Sequence, residues 1–123
     1  MTSWTTTSTE QYARDQRKYE KKFPNELTAT VNNLDTYFTT LQKVQNPLQV
    51  TGGFIHNEPS GIKAIDQTGG TKKHKLKQTR LYIYPDTVSK MLYLLCIGDK
   101  TSQKRDIQNC KKFVKKLKKN YEN

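Results

Sequence analysis

An α+β fold is what this 123-residue chain predicts: a helical hairpin first, a small antiparallel sheet of three to five strands next, and a basic helix last. Three observations carry the prediction. Apolar residues recur at helical spacing through residues 8–43. The pattern then breaks into short apolar stretches separated by Gly- and Pro-containing turns, and from residue 101 it returns to helical spacing with lysine at most outer positions. At this length, with about a third of the residues apolar, one domain spanning 1–123 and one modest core are expected.

Residues 8–22, STEQYARDQRKYEKK, open the helical part. Ser8 is placed to cap, with Gln11 three positions on as in a capping box. Tyr12, Tyr19 and Phe23 then recur at roughly helical spacing and face a core. The preceding SWTTT is either a short strand or a frayed end, with Trp4 as an anchor in both cases. Pro24 suits the first turn of a second helix over residues 25–43. Leu27, Val31, Leu34, Phe38 and Leu41 form its amphipathic stripe.

Asn46-Pro47 ends the hairpin. QVTGGFIH and GIKAIDQ read as short strands broken by Gly52-Gly53 and by the turn Asn57-Glu58-Pro59-Ser60-Gly61, and Gln67-Thr68-Gly69-Gly70 makes a further turn. KKHKLKQTRLYIY reads as one long strand, Pro85-Asp86 as a turn, and KMLYLLCI as the most buried strand. After Gly98-Asp99, Thr101 or Ser102 is positioned to cap the last helix. Ile107, Cys110, Val114 and Leu117 line its inner side, and Lys104, Arg105, Lys111, Lys112, Lys115, Lys116, Lys118 and Lys119 cover the rest. Lysines at that far end also suit the negative pole of the helix dipole.

Charge narrows the function classes. Twenty-two Lys+Arg against eleven Asp+Glu leave a net +11, which favours a polyanionic partner: nucleic acid, the ribosome, an acidic protein or a membrane surface. No apolar run approaches the length of a membrane span. The opening MTSWTTTSTEQYARDQ lacks the charged head and apolar block of a secretory leader, so the cytoplasm is the expected compartment. Cys96 and Cys110 read as buried reduced thiols. No zinc-type spacing, Walker loop or nucleophile elbow is present, so neither a metal nor another cofactor is expected. His56-Asn57-Glu58 has the residue types of acid/base chemistry, but its Pro-Gly surroundings favour a polar turn.

Two basic clusters remain. Lys72, Lys73, His74, Lys75, Lys77 and Arg80 lie along one stretch, and Lys100, Lys104 and Arg105 where the apolar strand ends and the helix begins. Paired as an antiparallel hairpin, the two strands would bring the clusters to flank one concave face. Tyr82, Tyr84 or Tyr93 there would suit base stacking, although most of these tyrosines are expected in the core. Strand alternation sets a limit: Lys73, Lys75 and Lys77 share one face, while His74, Leu76, Gln78 and Arg80 share the other.

RLYIY, a turn, and MLYLLCIGDKTSQKRDIQNCKKFVKKL together resemble the RelE/ParE superfamily of toxins from bacterial toxin–antitoxin pairs, nearest its HigB-like and phage-derived branch. The likeness covers residues 80–117, and the helical hairpin by architecture only. It implies a RelE-like fold and a toxin that cleaves mRNA on the ribosome by metal-free 2′-hydroxyl attack, held in check by an acidic antitoxin. By position, Arg80 resembles the arginine that clamps the scissile phosphate and Lys100 the basic residue closing the apolar strand. Lys75 and Lys77 stand for the lysine pair of the preceding strand, or Lys63 if GIKAIDQ is that strand. Lys63, Lys72, Lys73, His74, Lys104 and Arg105 would then grip RNA. A silent nucleic-acid- or ribosome-binding module of the same fold, and a ParE-like inhibitor of a protein such as gyrase, are the alternatives.

Overall fold

The computed structural model describes residues 3–70 and 75–121. Its elements run β1 (Thr5–Ser8), α1 (Glu10–Lys22), α2 (Pro24–Val44), β2 (Ile55–Asn57), β3 (Lys63–Asp66), β4 (Thr79–Asp86), β5 (Met91–Asp99) and α3 (Gln103–Tyr121), with single 3-10 turns at Pro47–Gln49 and Pro59–Gly61. The sheet order is β1-β5-β4-β3-β2. All neighbours are antiparallel except β1, which pairs parallel with β5. The sheet is therefore mixed rather than purely antiparallel.

The parallel strand comes from SWTTT. Trp4 is buried, and the Gln42 side chain on α2 accepts from its backbone N–H at 2.9 Å and donates to its carbonyl at 2.7 Å. Those two bonds hold the strand entry against the helical hairpin, so the threonines extend along β5. Ser8 is consumed as the last residue of β1, and the cap shifts one residue on. Thr9 Oγ1 accepts from the Tyr12 N–H at 3.0 Å, an interaction that stabilises a helix start by about 1 kcal/mol. Only Phe23 separates α1 from α2, with Pro24 at the first helical position, as its fixed φ favours.

The two long central strands are buried on both faces. Helices α1 and α2 cover one, where Tyr12, Leu34, Tyr37 and Leu41 pack on Ile65, Leu81, Ile83, Leu92, Leu94 and Ile97. On the other, Cys110 and Val114 of α3 pack on Ala64, Tyr82, Tyr84, Leu95 and Cys96. In β4 the faces alternate strictly, but in β5 Leu95 and Cys96 both join the α3 side. The register explains this: Tyr82 pairs with Cys96 and Ile83 with Leu94, so Leu95 is the extra residue of a β-bulge. Cys96 and Cys110 are buried and unbridged, their sulfurs 3.6 Å apart.

Several boundaries differ from the sequence expectation. In QVTGGFIH only residues 55–57 are strand, because Pro47–Gln49 forms a 3-10 turn and Gly52-Gly53 interrupts the chain. The stretch KKHKLKQTRLYIY is strand only from Thr79, and Lys72, Lys73 and His74 lie outside the described residues. Residues 75–78 are held instead by Glu26 of α2, which accepts the Lys77 N–H at 3.0 Å. Pro85 and Asp86 are the last strand residues rather than the turn. Asp86 Oδ1 accepts the Val88 N–H and Oδ2 the Ser89 hydroxyl, which starts the reversal one residue later.

Gly98 leaves room for the start of α3 against the sheet. A Cβ there would fall 1.9 Å from Asp106 Oδ2 and 2.6 Å from Ser102 Oγ, and Ser102 Oγ already donates to that carboxylate at 2.6 Å. Gly98→Ala is expected to cost about 1–3 kcal/mol, read as a lower urea midpoint. An unchanged midpoint would show that α3 does not need this approach.

Candidate nucleic-acid interface

Register decides where the predicted cations point. Asp66 pairs with Arg80 and Arg80 with Gly98, so Arg80 projects on the α3 side. There its side chain is only 14% exposed: Nε lies 2.9 Å from Asp66 Oδ1, off the hydrogen-bond axis, and Nη1 lies 3.7 Å from Glu58 Oε1. Asp66 Oδ2 also receives His56 Nε2 at 2.5 Å. Arg80 is thus flanked by two carboxylates that offset its charge. His56 and Glu58, which the sequence places in a polar turn, are partners in this network.

Lys77 lies on the opposite face. Its ammonium sits 2.8 Å from Asp99 Oδ2 and 4.2 Å from the centre of the Phe23 ring, against the helical hairpin. Lys77 precedes the strand, so strand alternation does not set its direction, and no single concave face gathers Arg80 with Lys77. Lys63 donates to the Asn57 side-chain oxygen across the β2–β3 hairpin. Lys75, Lys100, Lys104 and Arg105 are exposed, Lys100 in the turn after β5 and the last two in the first turn of α3.

Helix α3 carries the longest series of cations outside any ion pair among the described residues, followed by Arg14, Arg17, Lys18, Lys21 and Lys22 of α1. Among the described residues, the ion pairs are His56–Asp66, Lys77–Asp99 and Arg80 with Asp66 and Glu58; none involves α3. Lys104, Arg105, Lys112, Lys115, Lys116, Lys118 and Lys119 are exposed and Lys111 is half-exposed. Asp106, the one acid within Gln103–Tyr121, is buried beneath them. Lys111–Lys115, Lys112–Lys116 and Lys115–Lys119 are like charges four residues apart, each costing roughly 0.2–0.5 kcal/mol. Only the last turn recovers some of this from the helix dipole. The arrangement suits an external anion better than it suits helix stability.

The bulge at Leu95 adds a second feature. Beyond it β1 no longer pairs with β5, and α1 departs, leaving a cleft of about 420 Å³ between α1 and the start of α3. Side chains close the exposed strand edge: Asp15 Oδ2 accepts the Ile97 N–H at 3.0 Å and Ser102 Oγ the Asp99 N–H at 3.1 Å. Lys77, and after it Thr101, hold the Asp99 carboxyl well below the usual carboxylate range. Burial pushes the Asp106 carboxyl up; the Ser102 hydrogen bond and the Arg105 charge oppose the shift, and the charges of Asp15 and Asp99 add to it. Tyr19, buried beside Asp99 and Asp15, is pushed up to about 12. Asp106 was within reach of the sequence, since 106, 110, 114 and 117 are one helical stripe; Asp15 and Asp66 gave no signal without the register. Among the described residues no group of three or more His, Cys, Asp or Glu side chains is placed to hold a metal ion.

Compared with protein-family models, curated proteins and solved structures, the chain matches none. No helix among the described residues is long and apolar enough to cross a membrane.

The two cleft carboxylates should titrate with opposite sign. Asp99 has a folded pKa below its unfolded value of about 3.9, so it contributes stability above that pH and loses it as pH falls further. Asp106 has a raised folded pKa, so its charge costs stability at neutral pH, recovered on acidification. Asp99→Asn is expected to lower the urea midpoint at pH 7 and Asp106→Asn to raise it; the Asp99 gap closes as pH falls below about 4, whereas the Asp106 gap closes on the way down to about pH 4. Shifts of the same sign at pH 7 would contradict the assignment.

Proposed function

We propose that this protein is an RNA-binding module that grips the phosphate backbone through the lysine face of α3. One observation carries the reading: Arg80 and Lys77 are held beside Asp66, Glu58 and Asp99, whereas no cation of α3 forms an ion pair among the described residues. Phosphates held by mobile lysines give affinity without sequence preference. The exposed Lys100 and Lys75 add to the positive field.

The RelE/ParE resemblance supports RNA or the ribosome as the polyanion, and an acidic antitoxin would compete for the same face. The metal-free cleavage it implies asks more of Arg80, which would have to turn its guanidinium to a phosphate. Held between Asp66 and Glu58 at 14% exposure, Arg80 serves the sheet, so binding rather than cleavage is the function proposed.

Fluorescence anisotropy of a short labelled single-stranded RNA across a salt series tests this. Log affinity is expected to fall linearly with log salt. Replacing Lys115, Lys116, Lys118 and Lys119 by alanine is expected to flatten the slope by up to about 0.7 for each phosphate that is no longer neutralised. Arg80→Ala is expected to lower the urea midpoint and leave the salt slope in place. A slope that depends on Arg80 but not on the α3 lysines, or RNA cuts that disappear in Arg80→Ala, would overturn the binding reading in favour of the nuclease.

A further inference from the structure

We propose that the α3 face selects single-stranded over duplex nucleic acid by stacking an unpaired base on the Phe113 ring; the inference rests on the RNA-binding reading above. The inner stripe of α3 is Asp106, Cys110, Val114 and Leu117, and Phe113 flanks it. Phe113 is half-buried and packs edge-on against Tyr93 of β5, with ring centres 5.3 Å apart and planes at 61°. Tyr93 is itself half-exposed and sits opposite Thr7 of the edge strand β1. The pair therefore lies where the sheet ends, with no further strand beyond β1 to cover it among the described residues.

Lysines surround the ring. Phe113 shares an open apolar groove with Lys112, Lys115, Lys116 and Lys119. It also lines the polar cleft on the other side, with Arg105 and Asn109. One aromatic ring is thus common to two recesses along the same side of α3. From Arg105 to Lys119 the helix rises about 21 Å at 1.5 Å per residue, with cations at both ends and the aromatic near the middle. Single-strand sites combine these parts: a track of cations for the phosphates and an aromatic face for a base. In a duplex the base faces are stacked on one another and cannot reach a ring recessed between lysines. An anionic lipid surface would instead need an exposed apolar helix face, and the apolar stripe of α3 is packed on β4 and β5.

The test compares binding of a 12-nucleotide oligoadenylate and a duplex of matched length and salt. The single strand is expected to bind the wild-type chain more tightly, and Phe113→Leu to reduce that preference by about ten-fold without altering the salt slope. Phe113→Trp supplies a readout that survives if the leucine variant folds poorly. Trp4, the only native tryptophan, is 2% exposed and buried in the core, so strong quenching of the variant by oligoadenylate would report stacking at position 113. Equal affinity for strand and duplex, or no quenching of the new tryptophan, would overturn the inference while leaving α3 as a phosphate-binding face. If neither nucleic acid binds the wild-type chain in a salt-dependent way, the underlying reading fails instead. Binding confined to vesicles of phosphatidylglycerol would overturn both.

Discussion

Burial of the β4–β5 pair on both faces is the constraint from which the rest follows. Nearly every residue of these two strands is withdrawn from water, so each face needs its own apolar cover. The helical hairpin supplies one and α3 the other. A helix that must lay one stripe on a sheet keeps its remaining positions at the surface, and in α3 those positions are mostly lysine. The bulge at Leu95 belongs to the same constraint. It turns Leu95 and Cys96 together toward α3, and it ends the pairing with β1, which opens the cleft that Arg105 and Phe113 border.

Charge is partitioned by this architecture. Arg80 and Lys77 are brought beside carboxylates, since a half-buried guanidinium or ammonium without a partner would be costly. Arg80 meets Asp66 across β3 and β4, and Lys77 meets Asp99 beside Phe23. Cations on the outer side of α3 are solvated and need no such partner. The molecule thus keeps its net +11 largely where an approaching polyanion would meet it, while the interior of the fold stays close to neutral.

The helices were legible in the chain because their periodicity is strong. The stripe from Leu27 to Leu41 and the one through Cys110 and Val114 both face cores. β1 was harder: four Ser/Thr residues carry no apolar pattern, and Trp4 with its Gln42 hydrogen bonds is what holds them against β5. Residues 75–78 alternate like a strand, yet the Glu26 carboxylate draws the Lys77 backbone toward α2. The cationic clusters were visible as composition, but composition does not reveal which cations find carboxylates. That depended on the register Asp66–Arg80 and Thr79–Asp99, a long-range property absent from local spacing. Asp106 shows the converse case: its stripe position was readable, and a charged residue there is easily passed over because burial of an aspartate is unusual.

The most direct measurement is a backbone and arginine side-chain NMR titration with a short single-stranded RNA. Amide shifts concentrated in residues 104–119, with the Arg80 Nε–H resonance unmoved, are expected if α3 is the binding face and Arg80 remains locked between Asp66 and Glu58. Early, large shifts at Arg80 and His56, with α3 silent, would contradict this and return the sheet arginine to the centre of the protein's chemistry.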